Sequence, residues 1–423
     1  MNLAQFARYI NKKVILIALA TFSLFAAINN DISLLYGMFA LLSSVLLISF
    51  FLSRVTVRKI ECHRLMNNLA TEDEELAVTV RVESRGRFPQ FMLQVEDQFT
   101  AASLNQKRET FLIPKLSYNK GVELHYKKLC YKRGEYSVGP FNLSSASPLG
   151  LFSRKKIMDV RSPLLVYPST FSIDYLPLVS GSFLPRIGVE TLCKAGTSDD
   201  FFGTREYKSG DPVKYIHWPS SARLGRIVVK EFEMSAATDI TIVLDLEMNS
   251  SIGHGKENTL EYAVKVAASI AKYAISRANS VQFIAYGERQ IIIPSSHGLN
   301  QLSRILEELA RIKANGRIPF CQTIANVQEY IQEGSTVALI FSVVDSESLL
   351  PLSDFVHKHV KILAVVLNDN SFKDTKTSLF ETEDYTQRYK TFVQGLIAQG
   401  AIVYSISKGD DLSRRLEVAL NWS

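Results

Sequence analysis

Two uncharged apolar runs open the chain. Residues 14–28 (VILIALATFSLFAAI) form the first and residues 32–52 (ISLLYGMFALLSSVLLISFFL) the second. The second has the roughly 20 residues needed to cross about 30 Å of hydrocarbon. The first is shorter, but Lys12 and Lys13 can snorkel at one end while Asn29 and Asn30 sit at the other interface. Only residues 29–31 separate the runs, so the pattern predicts a transmembrane helical hairpin. A cleaved signal peptide followed by a core helix is the alternative, and it lacks a small-residue cleavage site. From residue 55 the pattern changes to short alternating runs, among them 75–82 (ELAVTVRV), 91–95, 122–126 and 164–167. Turn chemistry separates them at Ser84-Arg85-Gly86, Lys120-Gly121 and Arg133-Gly134. This spacing predicts a β-sandwich-like middle module.

From Asp239 the period changes again. DITIVLD, VQFIAY, QIIIP, TVALIFSVVD, KILAVVLND and AIVYSIS are buried-strand runs. Between them lie stretches with helical spacing, notably Leu260, Ala263, Val264, Ala267, Ile270, Ala271, Ala274 and Ala278, then residues 299–312 and 411–420. Gly287-Glu288 joins VQFIAY to QIIIP and predicts an edge hairpin. Near-continuous apolar strands alternating with helices predict a doubly wound α/β domain. The expected organisation is multidomain: a transmembrane hairpin over 1–54, a β-rich sandwich-like module over 55–190, a linker or brace over 191–235, and the α/β domain over 236–423.

Charge sharpens the membrane reading. The formal net charge is +6. Residues 1–60 carry Arg8, Lys12, Lys13, Arg54, Arg58 and Lys59 against Asp31 alone, which leaves the remainder close to neutral. A nucleic-acid binder concentrates basic charge on a folded domain instead, so no nucleic-acid partner is expected. Every lysine and arginine of this region lies outside the hairpin tip, which predicts a two-pass protein with both termini and the soluble domains on the cytoplasmic side. Four scattered cysteines, Cys62, Cys130, Cys193 and Cys321, form no C-x-x-C pair and read as reduced thiols.

The densest chemistry lies in FGTREYKSGDPVKYIHWPSSARLGRIVVKEFE, residues 202–233. Asp211 before Pro212 predicts a helix start and Pro219 its end, with a strand over 225–233. Gly210 and Gly225 permit positive φ at the two bends. Tyr215, Ile216 and Trp218 are expected to clamp the segment onto a neighbouring domain. Three readings stand: a structural brace, a partner-docking surface built on Arg205, Tyr207, Gly210, Asp211, His217, Trp218 and Arg223, and an anion site using Arg205, Lys208, Lys214, Arg223, Arg226 and Lys230. His217 has no serine and acid arranged around it as a catalytic triad.

The string G-x-R-x-Y-x-x-G-D-x-x-x-x-I-H-W-x-x-S-A-R-x-G-x-x-x-V-K-E-F-E resembles the signature of the bacterial membrane proteins grouped as domain of unknown function 58. These end in a von Willebrand factor A-like domain. The upstream run YKRGEYSVGPFNLSSASPLGLF is similar to the part of that family preceding the signature, with Ser147 where Asp is typical and Leu149 where Phe is typical. The resemblance implies a bacterial inner-membrane location and a MoxR-type AAA+ ATPase as partner, in assembly or maturation of other proteins. The chain has no G-x-x-x-x-G-K-[ST] phosphate loop, so ATP use is expected from another chain.

Von Willebrand A-like domains hold Mg²⁺ with D-x-S-x-S after the first strand, a threonine on a later loop and an acid after the fourth strand. By resemblance these are Asp245, Thr323 and Asp345, with Glu247 and Asn249 in place of the two serines. Ser250 and Ser251 lie one and two residues past the third position, and a shifted loop could bring one of them in. Mg²⁺ requires hard oxygen ligands, which all of these supply. The expected function is a membrane-anchored protein-interaction module, not an enzyme, with a Mg²⁺-dependent adhesion-type site in intact or degenerate form. The alternatives are a metal-dependent phosphatase-like hydrolase, with Asp245 as nucleophile and Glu247 as acid/base, and a metal-free scaffold.

Overall fold

The computed structural model describes residues 3–30, 32–55, 59–86, 89–146, 151–178, 201–208, 213–232, 239–342, 346–373 and 379–420. The chain divides into two compact units: Met1–Ser169 with Glu307–Arg311, and Thr170–Leu306 with Ile312–Ser423. The hairpin therefore shares a unit with the β-rich module, and the division falls at 169/170 where the sequence reading placed a module end at 190.

The first unit begins with α1 (Leu3–Asn30) and α2 (Ser33–Val55). They run antiparallel, and the Ser23 hydroxyl donates to the Leu35 carbonyl across the pair at 3.0 Å. Ser33–Phe51 is long and apolar enough to cross a membrane, and Val14–Asn30 is a shorter apolar helix beside it. Ten strands follow among the described residues. They are β1 (Ile60–Met66), β2 (Leu69–Thr71), β3 (Glu75–Ser84), β4 (Gln90–Gln98), β5 (Arg108–Leu116), β6 (Gly121–Leu129), β7 (Gly134–Val138), β8 (Phe141–Ala146), β9 (Ser153–Met158) and β10 (Ser162–Tyr167). They form sheets β1-β3-β6, β5-β4-β8-β9 and β2-β10-β7, antiparallel apart from β2 with β10. Alternate residues of β3 (Val78, Val80, Val82) and β4 (Leu93, Val95) enter one apolar core with Phe99, Leu116, Phe141 and Leu143.

An ion pair crosses that core. Arg64 and Asp97 have fully buried side chains. The Arg64 guanidinium donates to both Asp97 oxygens, to the Val138 carbonyl at 2.9 Å and to Ser162 Oγ at 3.1 Å, and it lies over the Phe141 ring. The Tyr126 hydroxyl donates to Asp97 at 2.7 Å. One side chain thus ties β1 to β4 and β10 and to the end of β7. Cys62 and Cys130 are buried free thiols, and burial pushes them up to about 12 and about 11.

The second unit holds β11 (Phe201–Glu206), α3 (Trp218–Leu224) and β12 (Val228–Phe232), with β11 and β12 paired antiparallel. Then follow β13 (Asp239–Leu244), β14 (Gly253–His254), β15 (Glu257–Asn258), α4 (Thr259–Ser276), β16 (Ser280–Tyr286), β17 (Gln290–Ser296), α5 (Leu299–Arg311), α6 (Phe320–Val327), β18 (Thr336–Phe341), α7 (Leu352–His357), β19 (Lys361–Leu367), α8 (Leu379–Ala398), β20 (Ile402–Ile406) and α9 (Leu412–Arg415). Six of the strands form one sheet in the order β17-β16-β13-β18-β19-β20. All pairs are parallel except β16 with β17 at the edge. Val243, Val337, Leu339, Phe341, Ile362, Ala364 and Val366 face α6, α7 and α8 in one core. α4 packs against β13, β16, β18 and β19. Residues of both parities on β13, β18 and β19 are buried, as a sheet covered on both faces requires.

The sequence pattern gives α4 one apolar face, but nearly all its side chains are buried. The reason is a strap: the Phe171 N–H donates to Ser269 Oγ and the Leu176 N–H to the Tyr273 hydroxyl, both at 3.0 Å. Two further expectations are corrected. The helix expected over 411–420 is the single turn α9, capped by the Asp411 side chain on the Ser413 N–H. The helix expected before Pro219 is a 3₁₀ turn, Val213–Tyr215, and the α-helix begins at Trp218 instead. Proline is as compatible with a first helical turn as with the end of one.

Arg64→Met leaves Asp97 buried without its cation, and breaking such a pair costs about 3–5 kcal/mol. Thermal unfolding of the detergent-solubilised full chain is expected to show a fall of many degrees for this variant. Arg108→Met removes a largely exposed partner of Glu96 and is expected to shift the midpoint by a degree or two at most.

Candidate functional site

In a doubly wound sheet the strand order reverses at one place, and the crevice beyond the carboxyl ends there receives ligands. Here the reversal lies between β13 and β18, because β13 leads by α4 to β16 on one side while β18 lies on the other. Asp245 is the first residue after β13, and its N–H donates to the Ile340 carbonyl of β18 at 2.9 Å. Asp245 Oδ1 accepts the Glu247 N–H at 2.9 Å, a tight turn closed on its own backbone. A 3₁₀ turn, Met248–Ser250, follows.

The loop is held from three directions. Ser250 Oγ donates to the Glu247 carbonyl at 2.8 Å. The Ser250 carbonyl accepts from Ser342 Oγ, just past β18, at 2.8 Å, and from Thr259 Oγ1, the first residue of α4. Asn258 caps α4 by accepting the Leu260 N–H at 2.7 Å. On the far side Gly316 donates to the Leu246 carbonyl at 2.8 Å and accepts the Met248 N–H at 2.9 Å. A Cβ on Gly316 would stand 2.6 Å from the Tyr286 carbonyl, so only glycine reaches this position without displacing backbone.

These residues enclose a cavity of about 10 Å³ lined by Asp245, Ser250, Thr259, Ala263, Phe341 and Ser342, the size of one water. Asp245 is 4% exposed. Its Oδ2 is buried and meets no hydrogen-bond donor among the described residues. Burial pushes the Asp245 carboxyl up to about 7, and the nearby Glu247 carboxylate adds to the rise. The Glu247 N–H, the Ser250 hydroxyl and the Ser342 N–H oppose it. A carboxyl in this position is half-charged near neutrality, and among the described residues no cation stands against it. With three hydroxyls beside it, the donor set is oxygen only, which suits a small hard cation.

The sequence-predicted ligands separate. Glu247 is half-buried beside Asp245, whereas the Asn249 side chain is exposed. Thr323 is buried within α6 and does not line the cavity. Asp345 lies outside the described residues. Ser250 comes in, and Thr259 and Ser342 join it without having been singled out. Their signal was an Asn-Thr helix start and a serine that breaks an apolar strand run. Among the described residues no group of three His, Cys, Asp or Glu side chains is placed to hold a metal.

The second candidate surface is the signature segment. Gly210 and Asp211 lie outside the described residues, and Arg205 is placed only as part of β11. His217 is the N-cap of α3: its Nδ1 accepts the Ser220 N–H at 3.2 Å and lies 2.7 Å from Ser220 Oγ. Ser221 is buried and receives the Val228 N–H at 3.0 Å, locking α3 to β12. Gly225 ends the helix at φ 65°. Ile216 is buried where it bridges to Val229, but Trp218 is 62% exposed, and Val213, Leu224 and Ile227 are exposed with it. Tyr207 and Arg223 are exposed nearby, and Arg226 pairs with Glu206. An isolated surface apolar residue is ordinary, whereas here four fall on one short segment.

Comparison with known proteins agrees with the signature. The family model described as "Protein of unknown function DUF58" matches residues 203–387. The chain is similar to the uncharacterized protein YeaD of Bacillus subtilis (strain 168), 22% identical over 270 residues, which cover 62% of each protein. Among solved structures, the CARDB domain of the PF1109 protein from Pyrococcus furiosus aligns at 10% identity and TM-score 0.20, covering 25% of this chain and 86% of that one. The sporulation control protein Spo0M of Bacillus subtilis aligns at 12% identity and TM-score 0.16, covering 26% and 50%.

The raised Asp245 pKa fixes a pH dependence. The carboxyl is neutral in the fold and ionised in the unfolded chain between about pH 4 and 7. Stability from this group is therefore complete below the unfolded value and is lost as pH rises to about 7. Without divalent cations, Asp245→Asn is expected to be more stable than wild type at pH 8, by roughly 4 kcal/mol at about 1.4 kcal/mol per pKa unit. The advantage should shrink steadily toward pH 4 in thermal melts.

Proposed function

We propose that this chain is a membrane-anchored protein-interaction module whose second unit is a von Willebrand A-like domain with a cation site centred on Asp245. The strand order supports the fold reading: in chain order it is third-second-first-fourth-fifth-sixth, with the third strand antiparallel at the edge. The observation that carries the site is the buried Asp245 Oδ2, unpartnered among the described residues and facing a cavity lined by hydroxyls. Asp245 would hold Mg²⁺, with Ser250, Thr259 and Ser342 close enough to contribute directly or through water, and Glu247 at the mouth. Bound there, Mg²⁺ supplies an open coordination position for an acidic side chain of a partner. The protein's own part is to pre-place the carboxylate, through the Glu247 N–H and the Gly316 clamp, and to exclude bulk water.

The apolar α3 surface supplies a second contact area for a protein partner. Resemblance to the family points to a MoxR-type AAA+ ATPase acting in assembly or maturation of other proteins. The basic flanks of α1 and α2 and the apolar span Ser33–Phe51 support two passes through a bacterial inner membrane, with both termini cytoplasmic.

Two outcomes test this reading. Millimolar Mg²⁺ is expected to raise the unfolding temperature of the full-length protein at pH 8, and to leave Asp245→Asn unmoved. A hundredfold excess over Kd stabilises by about 2.7 kcal/mol. Equal responses would remove the cation site. Affinity capture from solubilised membranes is expected to recover the ATPase with wild type and several-fold less with Trp218→Ala/Leu224→Ser. Undiminished recovery would remove α3 from the docking surface.

A further inference from the structure

The first unit contains a larger cavity, about 390 Å³, lined by Lys12 and Ile15 and Leu16 of α1, Val45 of α2, and Leu151. Its size falls in the range of ligand pockets, and its walls are aliphatic apart from the one ammonium. It lies at the end of the hairpin remote from the polar tip. The antiparallel pairing that sets Ser23 against Leu35 also sets Lys12 beside Val45. Val45 is six residues inside the apolar span that ends at Phe51, about 9 Å at 1.5 Å per residue. The backbone of Lys12 therefore lies at a depth where α2 is still apolar, with its side chain exposed. The one acid in residues 1–60, Asp31, is at the opposite end of the hairpin.

The β-rich module brings further positive charge to the same place. Leu151 is buried against the helices, and the Phe152 ring meets Phe50 of α2 edge-on, with centroids 5.6 Å apart. The chain then enters β9, an edge strand that touches α2. Arg154 is exposed there, three residues beyond the cavity wall. An apolar groove between two apolar helices, with an ammonium in its wall and a guanidinium on the strand that touches α2, matches the two halves of one molecule. The acyl chain requires aliphatic walls, and an anionic headgroup requires juxtamembrane basic charge.

We infer that the groove between α1 and α2 beside Leu151 holds an acyl chain of an anionic glycerophospholipid, whose phosphate is held by Lys12 with Arg154 of β9. The inference rests on the membrane-anchored reading of the hairpin. It goes beyond that reading in assigning a lipid class and the residues that select it. The lipid would occupy the seam where the helices meet the β-rich module, so that headgroup composition bears on how firmly the two are joined.

The test uses the full chain. Vesicle flotation with neutral phosphatidylcholine establishes anchoring, and a wild-type chain that fails to float would overturn both readings. Native mass spectrometry of detergent-solubilised protein given equal phosphatidylglycerol and phosphatidylcholine then reads the lipid retained. Wild type is expected to retain phosphatidylglycerol preferentially. Lys12→Gln and, separately, Arg154→Gln are each expected to cut the preference about fivefold, near the attraction of one basic side chain to an anionic headgroup. Ile15→Trp fills the groove and is expected to reduce retention of both lipids while the protein still floats. Equal retention of the two lipids by wild type, a preference unchanged in both charge variants, or displacement of the lipid by millimolar inorganic phosphate would each overturn the inference.

Discussion

The second unit is organised around a buried carboxyl with only one of its oxygens satisfied. Burying an ionised carboxylate without a counter-charge is among the costlier things a fold can do, and the usual response is a shifted pKa. Asp245 shows that response, pushed up to about 7, and retains one bare oxygen at the mouth of a water-sized cavity. The surroundings are arranged to keep it there. Its N–H extends the β13–β18 pairing, the loop beyond it is pinned to Gly316, and hydroxyls from Ser342 and Thr259 converge on the Ser250 carbonyl. Strain of this kind, maintained by several independent elements, is how binding sites are pre-organised.

The first unit solves a similar problem in the opposite way. Arg64 and Asp97 are both fully buried, but every direction around the guanidinium is filled by a carboxylate, a carbonyl, a hydroxyl or an aromatic face. A matched pair of that kind fixes the mutual placement of strands and leaves no valence for a ligand. The contrast between the two buried aspartates separates a structural charge from a candidate functional one.

Much of the architecture was legible in the sequence because the strands of the second unit are continuous apolar runs and those of the first alternate. Asp245 was legible for the same reason, as an acid that ends an apolar strand. The rest of the site was not. Ser342 lay inside TVALIFSVVD, where the apolar pattern continues past the true end of β18 at Phe341. Thr259 was the first residue of a helix and looked like a terminus. Asn249 has the sequence spacing of a ligand, but the 3₁₀ turn at Met248–Ser250 directs Ser250 inward and leaves Asn249 in solvent. Pro219 was read as a stop because proline punctuates both ends of helices. The His217 cap that resolves the ambiguity depends on a side-chain rotamer rather than a residue type. The strap over α4 was equally hidden, since its contacts link residues about a hundred positions apart.

Calorimetry of Mg²⁺ binding to the full-length protein in buffers of different ionisation enthalpy counts the protons exchanged and tests the Asp245 site most directly. A carboxyl that titrates near 7 must lose its proton to bind a cation. The account predicts release of about one proton per ion at pH 6, almost none at pH 9, and no proton-linked binding in Asp245→Asn. Mg²⁺ binding at pH 6 without proton release, or the same release from the variant, would contradict it.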